Sequence, residues 1–187
     1  MTEKELIIAL RDGEESAFKD LINQFQHKVF NTALGLLQNE TDAEDIAQEV
    51  FIQVYRSVNQ FKGDSLLSTW IYRITVTKSL DHLRSKKRKK RFGFVFNLFG
   101  DDNRPAFDPG DFNHPGILQE RKEDASLLFK LVDNLPDNQR TAFILNKVEE
   151  LSYREIAGIL KLTEGAVDSL LQRAKQNLKK KLNELPP

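Results

Sequence analysis

A chain of 187 residues holds one medium domain or two small ones. Its 40% hydrophobic and 30% charged residues make a globular composition and not a disordered one, and the absence of cysteine excludes disulfides and thiolate-bound zinc and suits a reducing compartment. Lys plus Arg equals Asp plus Glu at 28 each, yet the charges are segregated. Arg84 to Arg91 carries seven positive charges and no negative one, and Arg173, Lys175, Lys179, Lys180 and Lys181 form a second basic cluster. Acids gather in the first third and again between Asp101 and Asp124. Local fields decide where a polyanion docks, so two basic runs, each ending a helical pattern, point to nucleic acid. Met1–Leu10 includes Glu3, Lys4 and Glu5 and lacks a signal-peptide core. No apolar run approaches a bilayer span. The expectation is a soluble cytoplasmic protein with no direct membrane insertion.

In chain order, Phe18, Leu21, Ile22, Phe25 and Val29 step by three and four and predict one apolar helix face. Asn39 and Glu40 break the run. Thr41 to Glu44 fits a capping box with Thr41 as N-cap. Ile46, Val50, Val54 and Val58 line the helix that follows. Phe61–Ser68, with Gly63 and two serines, reads as a loop. Trp70, Ile71, Ile74, Leu80 and Leu83 resume helical spacing before the basic run. From about Lys86 to Lys122 three prolines and four glycines interrupt any helical period, which predicts an interdomain linker. Within it Phe92, Phe94, Phe96 and Leu98 alternate, as a strand-like segment packed on a helix would.

A second helical region follows, with Leu127, Leu128, Leu131 and Val132 on one helix and Phe143, Ile144 and Val148 on the next, after Pro136. Ser152 to Glu155 is another capping box. A short helix to Leu160, a turn at Lys161–Thr163 and a longer helix to about Leu182 have the form of a helix-turn-helix. Ala157 supplies the small residue where the helices cross, and Ile156, Leu160, Leu162, Val167 and Leu170 supply the apolar framework. Thr163 is placed to cap the second helix, and Lys161 stands where the turn often has glycine. An ordinary helical hairpin shares some of this pattern. The basic C-terminal cluster lies near the recognition helix, where phosphates are expected.

Three segments, in order, resemble the extracytoplasmic-function sigma factors of RNA polymerase. They are Asp42–Phe51 (DAEDIAQEVF); Phe61–Ser65 (FKGDS) continuing through Ser68–Ile74 (STWIYRI) to Asp81–Arg84; and Leu135–Pro136 through Leu151–Ala157 (LSYREIA) to Glu164–Val167 and Arg173–Lys175. The resemblance implies an all-α chain of two small helical domains joined by a flexible linker, the second a helix-turn-helix. Residues 1–90 would bind core RNA polymerase and melt promoter DNA at the minus-ten element; 91–123 would be linker; 124–187 would read the minus-thirty-five element in duplex DNA. It implies no catalysis and no cofactor, and an anti-sigma factor, free or membrane-bound, as antagonist.

The residues suit those roles. Asp45 and Glu49 are four apart on a helix, with Gln48 beside them and Asp42 a turn before, an acidic amide-bearing face for arginines of a partner. Phe61, Lys62, Gly63, Ser65, Trp70, Arg73, Thr77 and Arg84 combine aromatic and cationic groups suited to single-stranded minus-ten DNA, with Trp70 at least partly core. Thr163, Gly165, Asp168, Ser169, Gln172 and Arg173 are the candidate minus-thirty-five readers. Thr77 stands where the family often has asparagine, and Asp168 and Leu170 where it often has basic residues, so the resemblance fixes the protein class and not the promoter sequence. His27, His82 and His114 form no metal-binding arrangement. Two rivals remain: a helix-turn-helix regulator acting outside the polymerase, for which the first ninety residues lack a strand-containing sensor, and a carboxylate-bridged metal enzyme, for which no Glu-x-x-His pair exists.

Overall fold

In the computed structural model, residues 2–97 and 122–184 are described, and among them every regular element is helical. The helices are α1 (Glu3–Arg11), α2 (Glu15–Leu37), α3 (Glu40–Ser57), α4 (Leu67–Asn97), α5 (Lys122–Asp133), α6 (Asp137–Lys147), α7 (Tyr153–Leu160) and α8 (Glu164–Asn183), with a 3₁₀ turn at Val58–Gln60.

The first half packs α1–α4 around one core. Leu21, Phe25 and Val29 of α2 meet Ile46, Val50 and Val54 of α3 and Ile71 of α4, all buried. These are the positions that the three- and four-residue spacing places on one face, so burial of a continuous stripe drives the bundle. Helix α1, which has no long apolar period, is set by a capping box in which Thr2 accepts from the Glu5 amide and Glu5 reaches back. It buries Leu6, Ala9 and Leu10.

Two local expectations change. The N-cap of α3 is Asn39, whose Oδ1 accepts from the Asp42 amide at 2.8 Å, and not Thr41. Gln38 ends α2 in the left-handed region, and Asn39 follows in extended backbone, the geometry an N-cap requires; Thr41 is already inside the helix. The basic run does not end α4, whose backbone stays helical to Asn97, so Phe92, Phe94 and Phe96 lie in a helix and not in a strand-like segment. A helix satisfies its own backbone groups, whereas a lone strand needs a paired neighbour. Leu98 and the proline-rich stretch to residue 121 fall outside the described residues.

The second half packs α5–α8 around Phe129, Val132, Phe143, Ile144, Leu145, Ile156, Val167 and Leu171. That core is shared: Leu36 of α2 and Tyr72 and Val76 of α4 belong to it. The two halves therefore pack against each other along α2 and α4.

A helix-turn-helix and a polar loop on helical supports

Helix α7 has only eight residues, so its ends matter. Ser152 Oγ accepts from the Glu155 amide at 3.3 Å, and Glu155 Oε2 accepts from the Ser152 amide at 2.8 Å. Bonds from the Ser152 hydroxyl and amide hold the Glu155 carboxyl below its usual range. At the other end Lys161 adopts φ 55, ψ 46, the left-handed conformation that glycine would take without cost. Thr163 Oγ1 then accepts from the Ala166 amide at 3.2 Å and starts α8. Ala157 is buried at the crossing, as are Ile156 and Val167, and Leu160 and Leu170 are half-buried. Leu162 differs: it is 41% exposed because it sits in the turn itself. The α8 stripe is instead Val167, Leu171, Ala174 and Leu178.

On the outer side of α8, Gly165, Ser169, Gln172 and Arg173 are exposed and Asp168 is half-buried. Gln172 Nε2 donates to Asp168 Oδ2 at 2.8 Å, and Ser169 Oγ donates to the Gly165 carbonyl at 2.9 Å. Lys175, Lys179 and Lys180 continue outward, with Lys181 half-buried. A polar face followed by cations on the outer side of one helix fits duplex DNA, with base edges at the start and phosphates at the end.

The second candidate surface is the loop before α4. Phe61 is buried, and its ring lies 5.0 Å from that of half-buried Trp70 at a 33° tilt. Two residues of α1, which carry no local signal of the contact, hold this loop. Arg11 donates to the Phe61 carbonyl, and Glu3 Oε1 accepts from the Leu67 amide at 3.2 Å, placing a carboxylate at the start of α4. Lys62 and Gly63 are exposed and Ser65 half-buried; Gly63 has φ +79 and open space around it. Thr77 is exposed, and its hydroxyl donates to the Arg73 carbonyl at 2.8 Å, leaving it an acceptor only. Arg84 is exposed and pairs with Asp81 at 3.1 Å.

On α3, Asp45, Gln48 and Glu49 are exposed, and Glu49 pairs with Lys78 at 2.9 Å. Asp42 is set apart from them. Its carboxylate faces α4, 3.3 Å from His82 and bonded to Lys86, so it ties α3 to the basic end of α4.

Arg73 and its neighbour Tyr72 point toward the second half. The Tyr72 hydroxyl donates to Glu149 Oε2 at 2.9 Å. Arg73 Nη2 donates to the Gly158 carbonyl at 2.7 Å and Nε to the Ile159 carbonyl at 3.3 Å. Burial pushes the Glu149 carboxyl up, opposed by the Tyr72 and Thr32 hydroxyls and by Lys28. Burial, and then the charge of Glu149, push the Tyr72 phenol up. Sequence reasoning missed Glu149, Arg140 and Gln38, which also join the halves: Arg140 Nη1 donates to the Leu36 carbonyl at 3.3 Å, and Gln38 Nε2 to that of Phe129 at 2.7 Å. Partners so distant along the chain leave no local pattern. Among the described residues no group of His, Asp or Glu could hold a metal ion, and no helix is long and apolar enough to cross a membrane.

Residues 21–89 match the family model for sigma-70 region 2, and residues 126–178 match that for sigma-70 region 4. The chain is 30% identical over 183 residues to the RNA polymerase sigma-H factor of Pseudomonas aeruginosa, covering 98% of this chain and 95% of that protein. It is 29% identical over 185 residues to the ECF RNA polymerase sigma-E factor of Escherichia coli, covering 99% and 96%. In fold it is similar to CnrH in complex with the cytosolic domain of CnrY (TM-score 0.70, 20% identity, 98% of this chain and 99% of that one). It is also similar to the sigma factor RpoE in complex with the anti-sigma factor NepR from Bartonella quintana (TM-score 0.61, 22% identity, 89% and 96%). With a region 2 match on the bundle that carries the polar loop, and a region 4 match on the helix-turn-helix, the chain belongs to the extracytoplasmic-function sigma factors of RNA polymerase.

Proposed function

We propose that this sigma factor binds core RNA polymerase in the cytoplasm through the exposed face of α3, captures the minus-ten strand with the loop before α4, and reads the minus-thirty-five element with α8. It acts by binding and does no chemistry of its own. Residues 1–90 are assigned to the polymerase and minus-ten roles, 91–123 to the linker and 124–187 to the minus-thirty-five role. The observation that carries the reading is the pairing, in one chain and in order, of a region 2 bundle with a region 4 helix-turn-helix. A regulator acting outside the polymerase would have no use for the first of these.

Asp45, Gln48 and Glu49 supply the polymerase contact, because exposed carboxylates one turn apart accept charge-assisted bonds from arginine. Asp42 supports that surface from behind by fixing α3 to α4. Lys62, Gly63, Ser65 and Thr77 face the displaced strand, and Phe61 braces Trp70 as a wall for an unstacked base. Arg84 and the basic run hold phosphates. Ser169, Gln172 and Arg173 face the major groove, Asp168 tunes base choice, and Thr163 and Gly165 set the start of the reading helix. On its family membership, we assign it an anti-sigma factor as antagonist. In vitro transcription with core polymerase on genomic fragments, with start sites mapped with and without the protein, tests the reading. New start sites that depend on the protein are expected, and their absence while the chain is folded would overturn it.

A further inference from the structure

We infer that α8 reads its promoter element with hydrogen-bond acceptors, and so pairs with base amino groups in the major groove, that of cytosine at Asp168 and that of adenine at Gln172. The inference deepens, and rests on, the assignment of α8 to the minus-thirty-five element.

Asp168, Ser169 and Gln172 share the outer side of the N-terminal half of α8. Bonds within the helix already use most of the protons these side chains carry. Ser169 Oγ gives its one proton to the Gly165 carbonyl at 2.9 Å, so the hydroxyl can only accept from outside. Gln172 Nε2 gives one of its two protons to Asp168 Oδ2 at 2.8 Å. That bond locks the amide, because a flip would set Gln172 Oε1 against the carboxylate. An ionised carboxylate accepts only, and Asp168 keeps Oδ1 for a further bond. The three side chains thus present acceptors at Asp168 Oδ1, Ser169 Oγ and Gln172 Oε1, with the second N–H of Gln172 as their remaining donor.

The edges of the bases sort against such a surface. Guanine shows acceptors at N7 and O6, and thymine an acceptor at O4 beside its methyl, so either would set lone pair against lone pair. Cytosine offers its N4 amino group, and adenine its N6 amino group beside the N7 acceptor. Asp168, with acceptors alone, fits cytosine. Gln172, with Oε1 and one N–H, fits the paired donor and acceptor of adenine. The two residues are one helical turn apart, about 6 Å along the axis, against about 3.4 Å for each base step. They therefore reach base pairs within two steps of each other.

The acid also sharpens selection by what it rejects. Lys175, Lys179 and Lys180 are exposed further along α8 and attract phosphates whatever the sequence. A carboxylate ahead of them subtracts from that attraction. Asp168 is half-buried, so a base that brings it no proton leaves it with lost hydration and no bond in return. Mismatched sites are thus penalised as well as matched sites rewarded.

Holoenzyme assembled from core polymerase and the full chain tests this by selecting duplexes randomised across the minus-thirty-five element, after which the selected site is rebuilt with single-group analogues. Omitting the exocyclic amino group of the cytosine should weaken binding about tenfold, whereas replacing N7 of its guanine partner by carbon should change it less than about twofold. Omitting the adenine amino group, within two base steps, should also cost about tenfold. Asp168→Ala should remove the response to the cytosine amino group and raise affinity for unrelated duplex severalfold. Dependence on guanine N7 in place of the amino groups would overturn acceptor reading and leave α8 as the minus-thirty-five reader. An undiminished response to the cytosine amino group in Asp168→Ala would overturn the pairing at Asp168. A folded, core-bound chain that selects no upstream sequence at all would overturn the minus-thirty-five role itself, and this inference with it.

Discussion

Reversing Asp45 and Glu49 to lysine separates the docking role of α3 from its structural one. Among the described residues the double reversal removes one ion pair, that of Glu49 with Lys78, whose side chains are 57% and 26% exposed. A pair this exposed contributes about 0–1 kcal/mol. Neither side chain belongs to the buried stripe of Ile46, Val50 and Val54, so helix packing is untouched. At an interface with a basic partner the same reversal removes charge-assisted bonds and sets like charges together, which costs about 2–5 kcal/mol. At about 3 kcal/mol the affinity for core polymerase falls more than a hundredfold. The two effects differ enough to be told apart by measuring core affinity by titration of labelled sigma factor, with circular dichroism and thermal melting on the same samples. Affinity within about threefold of the parent, with helicity unchanged, would refute the docking assignment.

Three other outcomes test the DNA surfaces and the contact between the halves. Thr77→Asn gives the strand-facing position a paired donor and acceptor where the present hydroxyl is committed to the Arg73 carbonyl, so holoenzyme binding to minus-ten oligonucleotides should discriminate bases more sharply at one position; an unchanged base profile would count against this placement. Gln172→Ala and Asp168→Ala should each shift base preference in a randomised minus-thirty-five screen by about 1–3 kcal/mol, and their effects should not add, because the two side chains are bonded at 2.8 Å; additive or absent shifts would contradict a joint reading. The carboxyl of Glu149, raised by burial in the closed chain, binds its proton more tightly there than when open, so closure is strongest below the ordinary carboxylate range and weakens as pH rises through the raised value. Thr32 and Lys28 of α2 and Tyr72 of α4 face that carboxyl, and Glu155 of α7 acts on the Tyr72 phenol. Small-angle scattering should show the chain expanding as pH rises above the ordinary carboxylate range, and Glu149→Gln should flatten the change; the same expansion in that variant would assign it elsewhere.

What was legible in the sequence was local or periodic. The α3 stripe and the Ser152 capping box need only residues three or four apart, and the structure has both. Lys161 was legible as a strained turn because the helix-turn-helix spacing leaves it no other conformation. Asn39 and Thr41 are both good caps two residues apart, and only the left-handed turn at Gln38 decides between them. Leu162 satisfies the apolar pattern but falls in the turn, where direction and not spacing sets exposure. The side-chain hydrogen bonds between the halves pair residues 77 to 104 apart in the chain, and no window carries such a signal.

The neutral net charge has a physical meaning within this arrangement. Several cations that the sequence offers to DNA are already occupied: Lys86 by Asp42, Lys87 by Asp137, Arg84 by Asp81 and Arg73 by helix carbonyls. A cation that first breaks an internal bond brings less net energy to a phosphate than one that faces solvent. Binding energy from the minus-ten side therefore depends on what else has released those groups, whereas Arg173, Lys175, Lys179 and Lys180 of α8 are exposed from the start. On the proposed assignments, Arg73, Arg84, Lys86 and Lys87 should therefore each add less to minus-ten binding than Arg173, Lys175, Lys179 and Lys180 add to minus-thirty-five binding.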